Sequence, residues 1–193
     1  VELEYSPIDI RELFDGIRDL FSEQMKQKNL DFQVHTSQIQ NQYVWCDRNS
    51  LNRVLLNILS NAYKFTPEGG NIITSLSEVG SGENGYASYE IRVQDNGIGM
   101  SREFADKIFT AFERERTSTV SGVEGTGLGM SITKSIVDLL GGTIEVITSP
   151  GSGTTIVIRL KLRIAEEKDV TSIQKETAEH AKDAQADIAV DFT

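Results

Sequence analysis

Three polar side chains that could bind a ligand recur along one predicted helix. Asn57, Asn61 and Lys64 lie at positions i, i+4 and i+7, so they share one helical face opposite the apolar positions. An amide oxygen can ligate Mg²⁺, and a Lys ammonium provides a point charge for phosphate. The alternative is the solvated polar side of an ordinary amphipathic helix, and spacing alone leaves both interpretations open.

An aspartate followed by glycines comes directly after an alternating strand. Apolar and polar residues alternate over positions 89–94, and Asp95 continues the apolar phase, so its carboxylate should point inward. A buried carboxylate is costly unless it is hydrogen-bonded, and a ligand donor such as an exocyclic amine would satisfy it. Gly97 and Gly99 would let the backbone approach that ligand closely. The alternative is a turn in which Asp95 caps its own backbone.

A glycine-rich segment runs into the N-terminus of a helix predicted over residues 127–140. Gly125, Gly127 and Gly129 alternate with Thr126 and Leu128. Glycines at alternate positions before a helix expose successive N–H groups, which favours phosphate binding. A flexible loop is the alternative, since neither the P-loop pattern nor G-x-G-x-x-G is present.

An aromatic and arginine-containing segment separates these two glycine-containing loops. Phe109 and Phe112 are predicted to anchor it to the core, and Arg114 and Arg116 follow. An Arg held over a nucleotide would stabilise the charge of phosphoryl transfer. Otherwise both arginines are solvated charges, and Arg114 is the stronger candidate.

The surrounding pattern predicts the elements that must position these residues. Asp9 and Glu12 resemble a capping box before a helix, and Asp47 precedes a second helix that ends at Pro67. Strands with the helices all on one side predict a two-layer α/β sandwich. The strands are predicted at 2–5, 30–34, 43–46, 72–77, 86–94, 143–148 and 154–162, with a short helix at 102–109. The apolar stripe of the first helix is predicted to comprise Ile10, Leu13, Phe14, Ile17, Leu20 and Phe21.

Composition narrows the class of function. The 193 residues carry a net charge of −10, which disfavours binding to a nucleic-acid backbone. No apolar run is long enough for a membrane span, and the single Cys46 is consistent with a reducing compartment, so a cytoplasmic location without membrane contact is expected. Residues 164–193 are acidic and poor in large apolar residues, which predicts a linker with helical tendency after a domain at 1–163.

Five motifs in order resemble those of sensor histidine kinases. Residues 61–67 resemble the N box and residues 95–100 the G1 box. Residues 109–112 resemble the F box, residues 125–131 the G2 box, and residues 151–155 the final glycine motif. The resemblance covers roughly residues 1–162. It implies the Bergerat ATP-binding fold, with a mixed, mostly antiparallel sheet and three main helices on one face.

The resemblance also implies roles for the residues at the base of the nucleotide. Asp95 would receive the adenine amino group, and Thr154 would help through water. Phe65 would pack beside the adenine, with Gly97 and Gly99 in the adjoining loop.

At the phosphate end, the resemblance implies that Asn61 ligates Mg²⁺ while Asn57 and Lys64 support the phosphates. Arg114, in a lid over residues 113–124, would reach the terminal phosphate. The backbone of the glycine-rich loop would also contact phosphate: Gly125, Thr126, Gly127, Leu128 and Gly129.

The same fold serves ATPases of the Hsp90, gyrase and MutL group. In those enzymes a Glu four residues before the metal-binding Asn activates water. Here that position is Asn57, and an amide cannot serve as a general base at neutral pH. The resemblance therefore implies a protein histidine kinase that uses Mg-ATP. A self-sufficient ATPase and a degenerate, non-binding module are the alternatives.

The expected phosphoacceptor is not in this sequence. The family's acceptor motif is His-Glu followed by a proline, and neither His35 nor His180 has such surroundings. The chain is therefore expected to be a fragment, inactive in autophosphorylation alone. Its acceptor histidine would lie on a dimerisation hairpin preceding Val1. The ending over residues 191–193 resembles the lead-in to a receiver domain, the second expected partner.

Overall fold

The computed structural model describes residues 2–109 and 129–190, in which there are seven strands and five helices. In chain order they are β1 (Ser6–Asp9), α1 (Ile10–Gln27), β2 (Asp31–Gln38), β3 (Tyr43–Cys46), α2 (Arg48–Phe65), β4 (Asn71–Glu83), β5 (Tyr86–Asp95), α3 (Arg102–Lys107), α4 (Gly129–Leu139), β6 (Thr143–Thr148), β7 (Thr154–Ile164) and α5 (Glu167–Val190).

The strands form one mixed, mostly antiparallel sheet. Its order is β1-β3-β7-β5-β4-β2, and β6 pairs with the first half of β7 on the same side as β3. Within the described ranges, the β2–β4 pair alone is parallel. Helices α1, α2 and α4 cover one face and bury the apolar core against it. The predicted two-layer α/β sandwich, with three main helices on one face, is confirmed.

Register places three functional positions in a row at one end of the sheet. Asp95, the last residue of β5, pairs with Thr154, the first residue of β7. Thr154 in turn pairs with Thr148, the last residue of β6. Side chains in neighbouring positions on adjacent strands lie close together. The loops that adjoin these strand ends therefore meet at one end of the sheet, and the site forms there.

Aspartates begin the first two helices, as predicted. The carboxylate of Asp9 accepts the N–H groups of Arg11 and Glu12, and that of Asp47 accepts the N–H of Ser50. These bonds satisfy amide groups that have no partner within a helix. The prediction that Leu20 belongs to the buried apolar stripe of α1 is wrong. Leu20 is 61% exposed because the buried positions of α1 drift past it to Phe21 and then Met25.

Two strand predictions also need correction. The first strand is Ser6–Asp9 rather than residues 2–5, because this segment pairs antiparallel with β3. Pro7 is accommodated because β1 lies at the sheet edge, where strands tolerate proline. The β4–β5 hairpin is longer than predicted. Its turn is reduced to Asn84 and Gly85, both with positive φ, as in the two-residue turns that match strand twist.

The acidic tail, predicted to have helical tendency, forms α5. This helix lies beside the edge strand β1, with Val170 buried at the contact. Its sequence is far too polar for a bilayer. Indeed, none of the helices within 2–109 and 129–190 combines the length and apolar character that crossing a membrane requires.

Candidate functional site

The Asp95 carboxylate is buried at the C-terminal end of β5 and only half satisfied by the protein. Its Oδ1 accepts the N–H of Gly97 at 2.9 Å and that of Thr154 at 3.1 Å. No hydrogen bond reaches Oδ2 from the described part of the chain. Burial raises the pKa of Asp95 above its ordinary value, and the two N–H groups offset only part of that rise. A ligand donor at Oδ2 would complete this carboxylate.

The loop after Asp95 is packed so closely that two of its residues must be glycine. A Cβ at Gly97 would collide with the carbonyl oxygen of Phe65. Gly99 has φ +68°, and a Cβ there would collide with the carbonyl oxygen of Ser149. Ile98, between them, donates its N–H to the Phe65 carbonyl at 3.1 Å. The loop is therefore held against both the end of α2 and the β6–β7 turn.

A pair of threonine hydroxyls lies at the same end of the sheet. The hydroxyls of Thr148 and Thr154 are 2.9 Å apart. Thr148 also accepts the N–H of Met100 at 3.0 Å and donates to the Gly153 carbonyl at 2.9 Å. Thr154 was predicted from its motif, whereas Thr148 was missed. Strand spacing does not distinguish Thr148 from other threonines, and only the hairpin register brings it to the site.

The polar face of α2 does not simply face solvent. The Asn57 amide donates to the Gly129 carbonyl and to the Thr133 hydroxyl, both at 3.3 Å. Thr133 is fully buried and also donates to the Gly129 carbonyl at 2.8 Å. Asn57 therefore ties α2 to the first residue of α4, where the glycine-rich loop ends. Thr133 was not predicted, because its contact with Asn57 depends on the packing of α2 against α4.

The remaining predicted residues on α2 lie near its C-terminal end. Asn61 and Phe65 are half-buried, and Lys64 is exposed. The end of α1 supports this segment, since the Lys28 ammonium bonds to the Tyr63 carbonyl and lies 4.6 Å from the centre of the Tyr63 ring. A cation at a helix C-terminus is favourable because the last carbonyls carry partial negative charge. Lys28 was not predicted, because its partner is 35 residues away.

Several predicted residues lie outside the described residues. They are Arg114 with the rest of the 113–124 lid, and Gly125, Thr126, Gly127 and Leu128 of the glycine-rich loop. Of the predicted F-box segment, only Phe109 is described, and it packs against the core as expected. The structure thus brings together Asp95, Gly97, Gly99 and Thr154 directly, and joins Asn57 to Gly129.

Comparison with known proteins identifies the family. Residues 46–164 match the model described as "Histidine kinase-, DNA gyrase B-, and HSP90-like ATPase". The chain belongs to this family. It is 30% identical over 165 residues to the autoinducer 2 sensor kinase/phosphatase LuxQ of Vibrio harveyi. That alignment covers 85% of this chain and 19% of LuxQ, so the chain spans about a fifth of the length of that relative.

Solved histidine kinases have the same fold. The catalytic domain of ThkA has a TM-score of 0.67 at 27% identity, with 82% of this chain and 95% of that domain covered. Full-length ShkA, solved in complex with AMPPNP, has a TM-score of 0.69 at 26% identity, covering 86% of this chain and 32% of ShkA. A structure of ThkA with the response regulator TrrA has a TM-score of 0.64 at 25% identity, covering 82% of this chain and 42% of that one.

These findings confirm the predicted family. The chain is an ATP-binding domain of the histidine kinase type found in two-component signalling.

Proposed function

We propose that this domain binds Mg-ATP and transfers the terminal phosphoryl group to a histidine on a dimerisation and phosphotransfer hairpin outside this sequence. The reaction breaks the bond between the terminal phosphorus and the oxygen that bridges it to the second phosphate. A bond from that phosphorus to an imidazole nitrogen forms, and ADP leaves. The residues described above bind and orient the nucleotide for this transfer.

Recognition of adenine is assigned to the Asp95 end of the site. The unpartnered Oδ2 of a buried carboxylate fits the exocyclic amino group of adenine, which is a hydrogen-bond donor. Thr154 contributes a second oxygen beside it, and half-buried Phe65 is assigned to the face of the base. The close packing at Gly97 and Gly99 holds this loop against the end of α2 and the β6–β7 turn, beside the space assigned to the base.

The phosphate end is assigned to α2 and to the start of α4. Asn61 offers one neutral oxygen ligand, which suits Mg²⁺ because this ion keeps waters and binds largely through substrate phosphates. Lys64 provides a mobile positive charge. The N-terminus of α4, beginning at Gly129, favours negative charge. Arg114 and the segment Gly125, Thr126, Gly127 and Leu128 complete this assignment from the sequence.

The single observation that favours a kinase over an ATPase is the nature and bonding of Asn57. The position four residues before Asn61 holds an amide that donates to Gly129 and Thr133. An amide does not accept a proton from water at neutral pH. Hydrolysis should therefore be slow, which leaves the terminal phosphoryl group for a better nucleophile such as a neutral imidazole.

The wider arrangement is part of the same proposal. Residues 1–163 are the catalytic domain and residues 164–193, which include α5, are an acidic connection toward a receiver domain. The partners are the histidine-bearing hairpin of the same protein and that receiver, in the cytoplasm. Neither nucleic acid nor a membrane surface is an expected partner, given the charge of −10.

The test follows bound nucleotide and released phosphate together, with terminally labelled ATP and Mg²⁺. Tight binding with almost no release is expected for the isolated chain, and label should move to protein only when the histidine-bearing hairpin is supplied. Asn57→Asp is the matched variant, because it introduces a carboxylate four residues before Asn61. Rapid multiple turnover by the unaltered chain would establish an ATPase and overturn the kinase assignment.

A further inference from the structure

The Thr148 hydroxyl has three partners, and together they determine where each hydrogen lies. A hydroxyl has one hydrogen to donate and two lone pairs to accept with. The Met100 N–H can only donate to Thr148, and the Gly153 carbonyl can only accept from it. The one hydrogen of Thr148 therefore goes to Gly153, and one lone pair goes to Met100. The 2.9 Å contact with Thr154 must then use the remaining lone pair.

It follows that Thr154 is the donor in the contact between the two threonines. Its only hydroxyl hydrogen points at Thr148 and away from Asp95. The oxygen of Thr154 therefore presents lone pairs alone to the space beside the half-satisfied Asp95 carboxylate. Thr154 also donates its backbone N–H to Asp95 Oδ1, which fixes the Asp95 carboxylate relative to the Thr154 backbone. This end of the site consists of hydrogen-bond acceptors.

The same contacts close a ring around the site. The chain leaves the sheet at Asp95 and returns at Met100, whose N–H bonds to Thr148. Thr148 contacts Thr154 across the hairpin, and Thr154 bonds back to Asp95. Thr148 thus links Met100, at the end of the loop after Asp95, to Thr154 at the start of β7.

We propose that Thr148 is a positioning residue that sets nucleobase specificity, because it holds the Thr154 hydroxyl as an acceptor and leaves Asp95 Oδ2 free for an amino group. This inference rests on the proposed binding of ATP. If the Thr148 hydroxyl is removed, the Thr154 hydrogen loses its acceptor. The Thr154 hydroxyl then turns toward Asp95 and competes with the amino group of the ligand for Oδ2.

The test compares ATP with purine riboside triphosphate, which lacks the 6-amino group, by calorimetry. The unaltered chain should prefer ATP. In Thr148→Val, which keeps the shape without the hydroxyl, that preference should fall about three- to tenfold, the value of one hydrogen bond. Thr148→Ser, which restores the hydroxyl, should recover it. Thr143→Val, at the exposed opposite end of the same strand, is the matched control and should retain the preference.

A purely structural role would give a different result. Equal weakening of both nucleotides in Thr148→Val, or failure of Thr148→Ser to recover the preference, would overturn the inference while leaving ATP binding intact. Absence of ATP binding by the unaltered chain would instead overturn the proposed function, and this inference with it. If Thr148→Val does not fold, Thr148→Ala provides the same comparison, and an unchanged ATP preference there would also contradict the inference.

Discussion

Asp47 and Asp95 are two buried aspartates with opposite electrostatic behaviour. Their exposures are similar, 6% for Asp47 and 9% for Asp95. Asp47, at the start of α2, uses both oxygens: Oδ1 accepts the Ser50 N–H at 3.0 Å and Oδ2 accepts the Glu4 N–H at 2.8 Å. Burial alone would raise its pKa, but these bonds outweigh burial, and the pKa of Asp47 lies below its ordinary value.

Asp95 receives two backbone N–H bonds from the protein, and both end on one oxygen. Burial dominates there, and the pKa of Asp95 is raised. Although the two residues are similarly exposed, the Asp95 carboxyl group lies deeper in the protein, and the two also differ in how completely the protein satisfies them. The satisfied carboxylate caps a helix, whereas the half-satisfied one has bonding capacity left for a ligand. The depth of the carboxyl group and the distribution of its partners together separate a structural aspartate from a binding one.

The largest expected effect comes from Asp95→Asn. An amide can present a donor to the adenine amino group, so ATP binding should weaken by about 2 kcal/mol or more, roughly 30-fold. The free energy of unfolding without ATP should not fall, because the buried charge is gone. Calorimetry and urea unfolding measure the two quantities, with exposed Asp19→Asn as control. Unchanged ATP affinity would remove Asp95 from the site and end the contrast with Asp47.

The metal assignment at the other side of the site is tested by Asn61→Ala. Removing the amide oxygen should abolish the dependence of ATP binding on Mg²⁺. Calorimetric titrations with ATP, in Mg²⁺ and in EDTA, measure that dependence. Asn52→Ala, on the same helix nearer its start, is the control and should keep it. If ATP binding by Asn61→Ala still depended on Mg²⁺, the assignment of Asn61 as the metal ligand would be contradicted.

Asp47→Ala should affect stability and leave binding alone. Loss of the cap is expected to lower the free energy of unfolding by about 1 to 2 kcal/mol, with ATP affinity unchanged in the folded fraction. Asp47→Asn keeps an oxygen for Ser50 but loses the acceptor for Glu4, so its stability should be intermediate. Urea unfolding provides the values. A large loss of ATP affinity in folded Asp47→Ala would show that the two aspartates are not separable as argued.

The smallest expected effects are on the pH dependence of the free energy of unfolding, and they have opposite signs for the two aspartates. Asp47 has a lowered folded pKa, so its stabilisation is present above the ordinary value of 3.8 and is lost as the pH falls through the folded pKa. Asp95 has a raised folded pKa, so its destabilising charge is relieved as the pH falls through that pKa toward 3.8. Urea unfolding from pH 7 to 3, with each Asn variant as reference, measures both. If the contributions of the two aspartates to the free energy of unfolding changed in the same direction with pH, the comparison would be contradicted.

Both aspartates could be predicted from sequence, for different reasons. Asp47 precedes an apolar stripe with helical spacing, and Asp95 continues the apolar phase of a strand, so local periodicity was sufficient. The residues that complete each site could not be predicted in this way. Thr148 depends on the register of a hairpin, Thr133 on contact between two helices, and Glu4 on a bond across 43 residues. Such contacts are set by packing, and a local pattern does not carry them.

The most direct test of the central claim is the pKa of each aspartate, measured by carbon-detected NMR of the carboxyl groups with and without ATP. A ligand amino group at Oδ2 would favour the charged carboxylate. The pKa of Asp95 should therefore be raised in the free protein and fall when ATP is bound, while the pKa of Asp47 stays low in both states. An Asp95 pKa that does not change on saturation with ATP would contradict the account.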